Sequence, residues 1–421
     1  MKALALRDGI VFVGGEFDDA GGDSARGIAR WDGERWTPLG HGLRRLLPGF
    51  PYGSPPDTVR GIVEAIALYG DHVCAGGNFF VPEAAEDYGA AVHNLSCWDG
   101  ERWTPLGEVP YADSAGRYAS PVMALQTSPD GRFLYAPALE YGHGALAVRR
   151  WDGHAWTEVA SLPGLYHGAS LAALVLAGRY LYAGGSFVKP GDPLGRNIAR
   201  LDLETGQDKA VGDPQALGVD GFVTTLLADG RGGVYVGGQM LVPGESSTMG
   251  LAHFDGTRWR TLGGTLYGPL SAIAADGVDI YVGGSFGFME GTQEPVANFA
   301  RWNAATETWT PFVVGEGEYF EGPGDGVSTI LVHDGKVYVG GRFETAGGVP
   351  ARNVAVLDPA TGAWSALAYS RLAFARNWIL KRGFLDGSTG LIVSMLNSHY
   401  VFLKYAKLWP DGPPPSGEPR P

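Results

Sequence analysis

The residues that could bind a ligand lie in segments that do not repeat along this 421-residue chain. These segments combine tyrosine, histidine and arginine with carboxylates, and exposed side chains of these types suit a sugar or a peptide. For any single residue, an ordinary solvated loop position is an equally good interpretation. The candidate ligand-binding residues are Tyr52, Tyr88, Tyr118, His143, His167, Tyr319 and Arg342.

Signatures of catalysis are weak in this sequence. The nine histidines are scattered, and the zinc-binding pattern His-Glu-x-x-His does not occur. We therefore assign no catalytic residue and no metal ligand. Carboxylates in the non-repeating segments are oxygen ligands of the kind Ca²⁺ takes, so Ca²⁺ is the one cofactor that the sequence leaves open.

Charge and hydropathy exclude two classes of partner. The chain has 32 basic and 45 acidic residues, a net charge of −13, whereas a nucleic-acid-binding face must be basic. No apolar stretch reaches the roughly 18 residues of a membrane-spanning helix. The apolar run within residues 1–9 is too short for a signal peptide, although a processed or truncated chain could have lost one.

Internal repeats predict the fold. One pattern occurs seven times: a strand that in six copies ends in Gly-Gly, usually with an aromatic residue two positions later, then a second strand ending in an aromatic or leucine and usually Asp, and in most copies a Trp after a tight turn. Successive copies begin roughly 46 to 62 residues apart, a spacing typical of propeller blades. The paired positions are Gly14-Gly15, Gly76-Gly77, Pro137-Ala138, Gly184-Gly185, Gly237-Gly238, Gly283-Gly284 and Gly340-Gly341.

The pattern resembles the kelch type of β-propeller repeat, and in particular bacterial kelch-like repeats of the form Tyr-Val-Gly-Gly-x-Phe. The resemblance covers residues 1 to 368. It implies an all-β propeller of four-stranded blades and a tendency toward protein or carbohydrate contacts, but no single activity.

The number of blades is less clearly defined by the repeats. Residues 371–409 lack Gly-Gly but contain two strand-like runs, which favours a degenerate eighth blade over a helical cap at 371–382. We therefore predict one propeller over 1–409. The proline-rich segment 410–421 is predicted to be a disordered tail or a linker stub.

The two cysteines occupy repeat positions. Cys74 stands where other copies have Phe or Tyr, and Cys97 stands where four copies have Arg. In those copies we expect a cation–π contact between the aromatic residue and the arginine. Replacement of both positions in one copy predicts a Cys74–Cys97 disulfide between neighbouring strands, with two buried free thiols as the alternative.

Most other conspicuous residues are expected to be structural. Ten of the 12 Trp fall at repeat positions and should pack blade against blade. The Gly pairs should mark close backbone approach, and the Asp of the Asp-Gly turns should form those turns. The residue after Gly-Gly varies and is expected to ring one mouth of the central channel: Glu16, Asn78, Ser186, Gln239, Ser285 and Arg342.

These observations favour a non-catalytic binding or scaffold propeller that contacts a protein or a glycan through its long B–C and D–A loops. The alternative is a lyase, hydrolase or cyclase whose active site lies at the channel mouth on the same face. A disulfide would place the protein outside the cell or on its surface, and free thiols would place it in the cytoplasm.

Overall fold

The computed structural model describes residues 1–47, 57–81, 94–106, 121–140, 145–162, 170–188, 196–213, 216–241, 250–262, 266, 268–287, 297–315, 326–351 and 353–366. This described part contains strands and turns but no helix. Seven antiparallel sheets of four strands form a ring of blades. In each blade the four strands A to D follow one another in space in chain order, so every blade is made from one continuous stretch of sequence.

The first three blades share this layout, and their strands have the following bounds. Blade 1 consists of β1 (Ala3–Arg7), β2 (Ile10–Gly14), β5 (Ile28–Trp31) and β6 (Trp36–Pro38). Blade 2 consists of β9 (Ile62–Tyr69), β10 (His72–Asn78), β11 (Leu95–Trp98) and β12 (Trp103–Pro105). Blade 3 consists of β13 (Gln126–Thr127), β14 (Leu134–Glu140), β15 (Ala145–Trp151) and β16 (Trp156–Leu162).

The remaining four blades repeat the layout. Blade 4 consists of β17 (Ser170–Ala177), β18 (Tyr180–Val188), β19 (Arg196–Asp202) and β20 (Gln207–Lys209). Blade 5 consists of β23 (Asp220–Ala228), β24 (Val234–Leu241), β25 (Leu251–Phe254) and β26 (Trp259–Thr261). Blade 6 consists of β27 (Leu270–Asp276), β28 (Asp279–Gly284), β29 (Asn298–Asn303) and β30 (Thr308–Val313). Blade 7 consists of β31 (Gly326–His333), β32 (Lys336–Arg342), β35 (Val354–Asp358) and β36 (Ala363–Ala366).

Strand A is the inner strand of each blade, because the A strands of consecutive blades contact each other around the ring and β31 contacts β1.

Each glycine of the Gly-Gly pair lies where a side chain would overlap a different neighbour. A Cβ on the first, such as Gly184, would overlap Val223 in strand A of the next blade. A Cβ on the second, such as Gly185, would overlap the carbonyl oxygen of Ser170 in strand A of its own blade, where a β-bulge shifts the register. Close backbone approach is therefore confirmed as the role of these pairs.

The tryptophans of strand D connect consecutive blades. Most of them pack against the aromatic residue directly opposite on strand C, as in Trp302–Trp309, whose ring centroids are 5.1 Å apart. Their indole N–H groups also donate to a carbonyl that follows strand D of the preceding blade. These bonds are Trp103 to Leu39 at 3.1 Å, Trp156 to Leu106 at 2.7 Å, Trp259 to Val211 at 3.4 Å and Trp309 to Leu262 at 3.2 Å.

Buried asparagines close the loop before strand C, a role that the sequence analysis did not anticipate. The side-chain oxygen of Asn197 accepts the N–H of Phe187, and its amide donates to the carbonyl of Val219 in the next connection. Asn298 makes the same two bonds to Phe286 and Val314. Both residues have positive φ, 62° and 66°, which asparagine tolerates better than most side chains.

The acidic residue that begins each C–D turn caps that turn. Its Oδ1 accepts the N–H groups two and three residues later, as Asp255 does from Thr257 and Arg258, both at 2.8 Å. Asn303 accepts the equivalent bonds in blade 6. The prediction that these aspartates form turns is therefore confirmed.

The predicted cation–π partner is wrong by two residues. The register places Arg200 directly opposite Tyr182, as the sequence predicts. Its guanidinium, however, lies over the ring of Tyr180, 4.9 Å from the centroid, and Arg150 lies over Phe133 at 4.5 Å. An arginine is long enough to pass the residue opposite it and reach the next ring on the same side of the strand. The Nη1 of Arg200 also donates to Gly256 of the next blade at 2.9 Å.

The two ends of the ring differ. All additional two-stranded sheets of the described residues lie in B–C or D–A connections, at one end that we call the loop face. They are β3–β4 (Asp19–Ala20, Asp23–Ser24), β7–β8 (Arg44–Leu47, Asp57–Arg60), β21–β22 (Gly212–Asp213, Ala216–Leu217) and β33–β34 (Thr345–Ala346, Val349–Pro350). The opposite end carries the short A–B and C–D turns, and we call it the turn face.

Seven of the predicted blades are confirmed. Met1–Leu367 is one compact unit. The predicted eighth blade, the alternative helical cap and the tail at 410–421 lie outside the described residues, so the propeller boundary at 409 stays a prediction.

Replacing Gly185 by Ala should destabilise the protein, because the new methyl group meets the backbone carbonyl of Ser170. We expect the free energy of unfolding to fall by about 1–3 kcal/mol, as for overpacked interiors. Gly287→Ala is the control, since a Cβ there meets nothing within 4 Å, and its unfolding free energy should change by less than about 1 kcal/mol. Equal effects of both substitutions in denaturant titrations would contradict this role of the pair.

Asp255 should contribute acid-sensitive stability. The Thr257 hydroxyl and the backbone N–H groups of Arg258 and Thr257 hold the pKa of Asp255 at about 2, below its ordinary value of 3.8. Because the folded-state pKa is lowered, this contribution is complete above pH 4 and is lost as the pH falls toward 2. In Asp255→Asn the turn should remain, as Asn303 shows, and this part of the pH dependence should disappear. A stability difference between the two proteins that stays constant from pH 5 to pH 2 would rule this out.

Candidate functional site

Of the seven candidate ligand-binding residues, the structure describes one. Arg342 is exposed at the end of β32 on the loop face, and it forms no ion pair with the other described residues. The other six lie outside the described residues, so their role stays a prediction: Tyr52, Tyr88, Tyr118, His143, His167 and Tyr319.

The variable residues after the Gly pairs occupy one equivalent position at the loop-face end of strand B. In this position Glu16, Gln239 and Arg342 are exposed, whereas Asn78, Ser186 and Ser285 are half-buried. Strand A of the same blade begins directly opposite this position, as Ser170 does opposite Ser186, so these six positions lie around the loop-face end of the central opening. We call this opening the mouth.

Charged residues link the loops of blades 1 and 2 beside the mouth. Arg60 Nη1 lies 2.8 Å from Asp18 Oδ2, and its Nη2 lies 3.4 Å from Glu16 Oε1. Arg45 Nη2 contacts the same Glu16 oxygen at 3.5 Å. Each of these cations therefore has a carboxylate beside it, and all four side chains remain partly exposed.

The pair Lys2–Glu64 adds a further ion pair, between the inner strands of blades 1 and 2. Lys2 Nζ lies 2.7 Å from Glu64 Oε1, and the Glu64 side chain is only 14% exposed. The Glu64 carboxylate is therefore paired with the Lys2 ammonium group.

The hairpin β7–β8 is held rigidly on the loop face. Arg44 and Phe80 exchange both backbone hydrogen bonds, at 3.1 and 2.6 Å, which ties the hairpin to the B–C connection of blade 2. The Nε atoms of Arg44, Arg45 and Arg60 are buried without a hydrogen-bond partner. The described part of this hairpin is thus an ordered part of the loop face, and its tip at 48–56 lies outside the described residues.

Blade 5 exposes an aromatic side chain at the mouth. Phe222 is 37% exposed and lies directly opposite Gln239 in the β23–β24 register. Side chains of directly opposed residues stand on the same side of a sheet, close together. The sequence analysis missed Phe222, because strand A is normally buried and nothing in the repeat marks this residue as exposed.

Blade 5 also contains a carboxylate–imidazole pair. His253 Nε2 lies 2.9 Å from Asp229 Oδ2, and the imidazole stacks on Tyr235 with ring centroids 4.4 Å apart. Burial raises the pKa of Asp229, but hydrogen bonds from the Arg231 and Gly233 N–H groups and from His253 lower it by more. His253 occupies the position that is Arg in four other blades, and Asp229 begins the A–B turn. The pair therefore fastens a turn on the turn face, away from the mouth.

Ser285 lies in a Gly-x-Ser-x-Gly sequence at 283–287, a spacing that in hydrolases marks a nucleophile at a strand-to-helix turn. Here the two glycines of β28 belong to the repeat, and the N–H of Phe286 donates to Asn298 as the equivalent residues do in other blades. Gly283 and Ser285 of this spacing thus belong to the propeller repeat.

Cys74 and Cys97 are joined by a disulfide bond. They are directly opposite each other on β10 and β11 and are almost completely buried, next to Ala67 and Leu134. The bond occupies the place where other blades have an aromatic–arginine pair.

Within the described ranges, no group of three or more His, Cys, Asp and Glu side chains could hold a metal ion. The described segments also include no helix that is long and apolar enough to span a membrane.

Comparison with known proteins gives one family match. Residues 333–360 match a family described as a beta-propeller domain of unknown function, DUF5122. This segment spans the end of β31, strand β32 and strand β35, the region of the clearest repeat. Together with the seven blades, it identifies the chain as a β-propeller repeat protein.

Several solved structures resemble the chain at low identity. The computationally designed Ika8 protein shows 17% identity, covers 84% of this chain and 95% of its own, and has a TM-score of 0.41. The beta-propeller domain of the Trilobed protease from Pyrococcus furiosus shows 12% identity, coverage of 78% and 86%, and a TM-score of 0.43. Hydrazine synthase from Kuenenia stuttgartiensis shows 14% identity, coverage of 70% and 76%, and a TM-score of 0.42.

The disulfide can be tested by thiol labelling of the purified, denatured protein. Iodoacetamide should add no label without reductant and two labels after reduction, and Cys74→Ala should carry one reactive thiol. The double variant Cys74→Ala/Cys97→Ala should lose about 3 kcal/mol of stability, the loop-closure value for a separation of 23 residues. Two labels in the absence of reductant would contradict the bond and the argument about compartment that depends on it.

Proposed function

We propose that this protein is a non-catalytic binding propeller that engages a protein or a glycan through its loop face, on a scaffold of kelch-like repeats. The observation that carries the proposal is the difference between the two ends of the ring. Four extra two-stranded sheets and the variable mouth residues gather on the loop face, whereas the turn face consists of short, capped turns. Binding residues concentrate on loops that a rigid scaffold holds in place.

The charges at the mouth support binding rather than catalysis. General acid–base catalysis needs titratable groups poised beside the reacting atoms. Here the carboxylates of Glu16, Asp18 and Glu64 each lie against an arginine or lysine.

The inner strands support the same conclusion. The extra residue of the strand A bulge is uncharged in four of the five blades where a bulge is seen, and in blade 2 it is Glu64, which pairs with Lys2. The uncharged residues are Ala172, Thr224, Ser271 and Ser328. The alternative, an enzyme with its active site at the channel mouth, then depends on tyrosines and histidines outside the described residues.

We also propose that the protein acts outside the cell or on its surface. The support is the buried Cys74–Cys97 disulfide, because such bonds persist in oxidising compartments and are rare in the cytosol.

The proposed face can be tested by blocking each end of the ring separately. Gln239→Cys adds a thiol on the loop face, and Val278→Cys adds one at the matched exposed position on the turn face. Each variant is labelled with a maleimide–polyethylene glycol and tested on glycan and peptide arrays. We expect the loop-face label to reduce binding at least tenfold and the turn-face label to leave it unchanged.

Two outcomes would contradict the proposal. If only the turn-face label reduces binding, the loop face is not the binding face. If mass spectrometry shows that the bound compound is converted to a product, the protein is an enzyme.

A further inference from the structure

The mouth is not uniform around the ring, and its most distinctive part lies on blades 5 to 7. Phe222 and Gln239 stand side by side on blade 5, Ser285 lies on blade 6 and Arg342 on blade 7. We call these four residues the mouth arc.

The strand A residues that lie between members of the mouth arc have short side chains or none. Pro269 precedes strand A of blade 6, where its carbonyl accepts the N–H of Ser285 at 3.0 Å. Gly326 begins strand A of blade 7, directly opposite Arg342. A Cβ on Gly326 would lie 2.5 Å from Ser285 Oγ, so the hydroxyl of blade 6 reaches the blade 7 strand. The arc is therefore continuous across the boundary between blades 6 and 7.

The chemistry of the arc is that of a single aromatic ring among hydrogen-bonding groups. The core of a protein interface is typically formed by several apolar or aromatic side chains with few charges. Here Phe222 is the one aromatic or large aliphatic residue exposed at the mouth among the described residues. Its neighbours are an amide that both donates and accepts, a hydroxyl and a guanidinium. A sugar fits this set, because its C–H face can stack on the ring while its hydroxyls meet the amide and the hydroxyl.

Arg342 adds a preference for negative charge. Lys2, Arg45 and Arg60 beside the same mouth each contact a carboxylate, whereas Arg342 is exposed and has no ion pair among the described residues. A guanidinium binds a carboxylate through two parallel hydrogen bonds. The net charge of −13 repels an anionic ligand only weakly, because salt screens charges beyond about 8 Å at physiological ionic strength.

From these observations we propose that the mouth arc binds an acidic oligosaccharide, with a sugar ring stacked on Phe222 and a uronate carboxylate held by Arg342. The two ends of the arc lie on blades 5 and 7, and packed sheets are about 10 Å apart. Two such spacings separate the ends, so the ligand is several sugars long. The inference rests on the proposed function and narrows it to one ligand class.

The test uses the full chain and defined probes. Hexamers of galacturonate, alginate and hyaluronan are compared by calorimetry with maltohexaose, digalacturonate and a hexaglutamate peptide. We expect at least one uronate hexamer to bind at least tenfold more tightly than each of the other three. Raising the salt concentration should weaken this binding.

Substitutions then assign the two ends of the arc. Phe222→Ala should weaken the uronate hexamer at least tenfold, and Phe222→Trp should restore it. Arg342→Gln should weaken the uronate hexamer at least tenfold and change maltohexaose less than twofold. The matched controls on the turn face, Val278→Ala and Arg102→Gln, should have no effect, and thermal melting should show that every variant is folded.

Three outcomes would overturn the inference: no binding of any uronate hexamer, binding that Phe222→Ala leaves unchanged, or equal binding of hexaglutamate. If the loop-face label still abolishes binding of another array ligand, the proposed function stands and only the acidic-oligosaccharide assignment fails. If that label has no effect either, both fail.

Discussion

The close approach of consecutive blades at the Gly-Gly positions is the constraint on which the rest of this structure depends. The first glycine leaves room for a side chain of the next inner strand, as at Gly184 and Val223. The second leaves room for a carbonyl of the same blade, as at Gly185 and Ser170. Without both spaces the inner strands could not meet around the ring. The strand D indoles and the asparagines before strand C then satisfy the polar groups that this close packing buries.

The same constraint separates the residues that repeat from those that vary. A side chain between two blades must fill the space there, and its polar atoms must be hydrogen-bonded. Residues of different chemical types meet these requirements. Blades 3 and 4 use an arginine over an aromatic ring, blade 2 uses the disulfide and blade 5 uses His253 with Asp229. At the loop-face end of strand B the next blade covers the side chain only in part, so charge, amide and hydroxyl all occur there. The variation that a ligand can recognise is therefore confined to one end of the ring.

Electrostatics divides the mouth in two. On blades 1 and 2, Glu16 and Asp18 neutralise Arg45 and Arg60 and link two loops into a stable platform. Such exposed pairs stabilise only weakly one by one, typically by about 0.2–1 kcal/mol, but they hold the loops in one arrangement. On blades 5 to 7, the exposed ring of Phe222 remains accessible, as does the guanidinium of Arg342, which has no ion pair among the described residues. The charged side chains on blades 1 and 2 therefore stabilise the loops, whereas the side chains on blades 5 to 7 are available to contact a ligand.

The architecture can be predicted from the repeat alone, because the repeat places glycine, aspartate and tryptophan at the positions that blade packing and tight turns require. Seven blades, the capped turns and the facing of Cys74 and Cys97 could all be predicted from that register. Three features are visible only in the folded protein: the ring that an arginine covers, as Arg200 covers Tyr180, the exposure of Phe222, and the contact of Arg60 with Glu16 and Asp18. These features depend on contacts between residues tens of positions apart and on the length and direction of side chains. A repeat pattern defines which positions are equivalent, but it carries no information on what a variable side chain meets across a blade boundary.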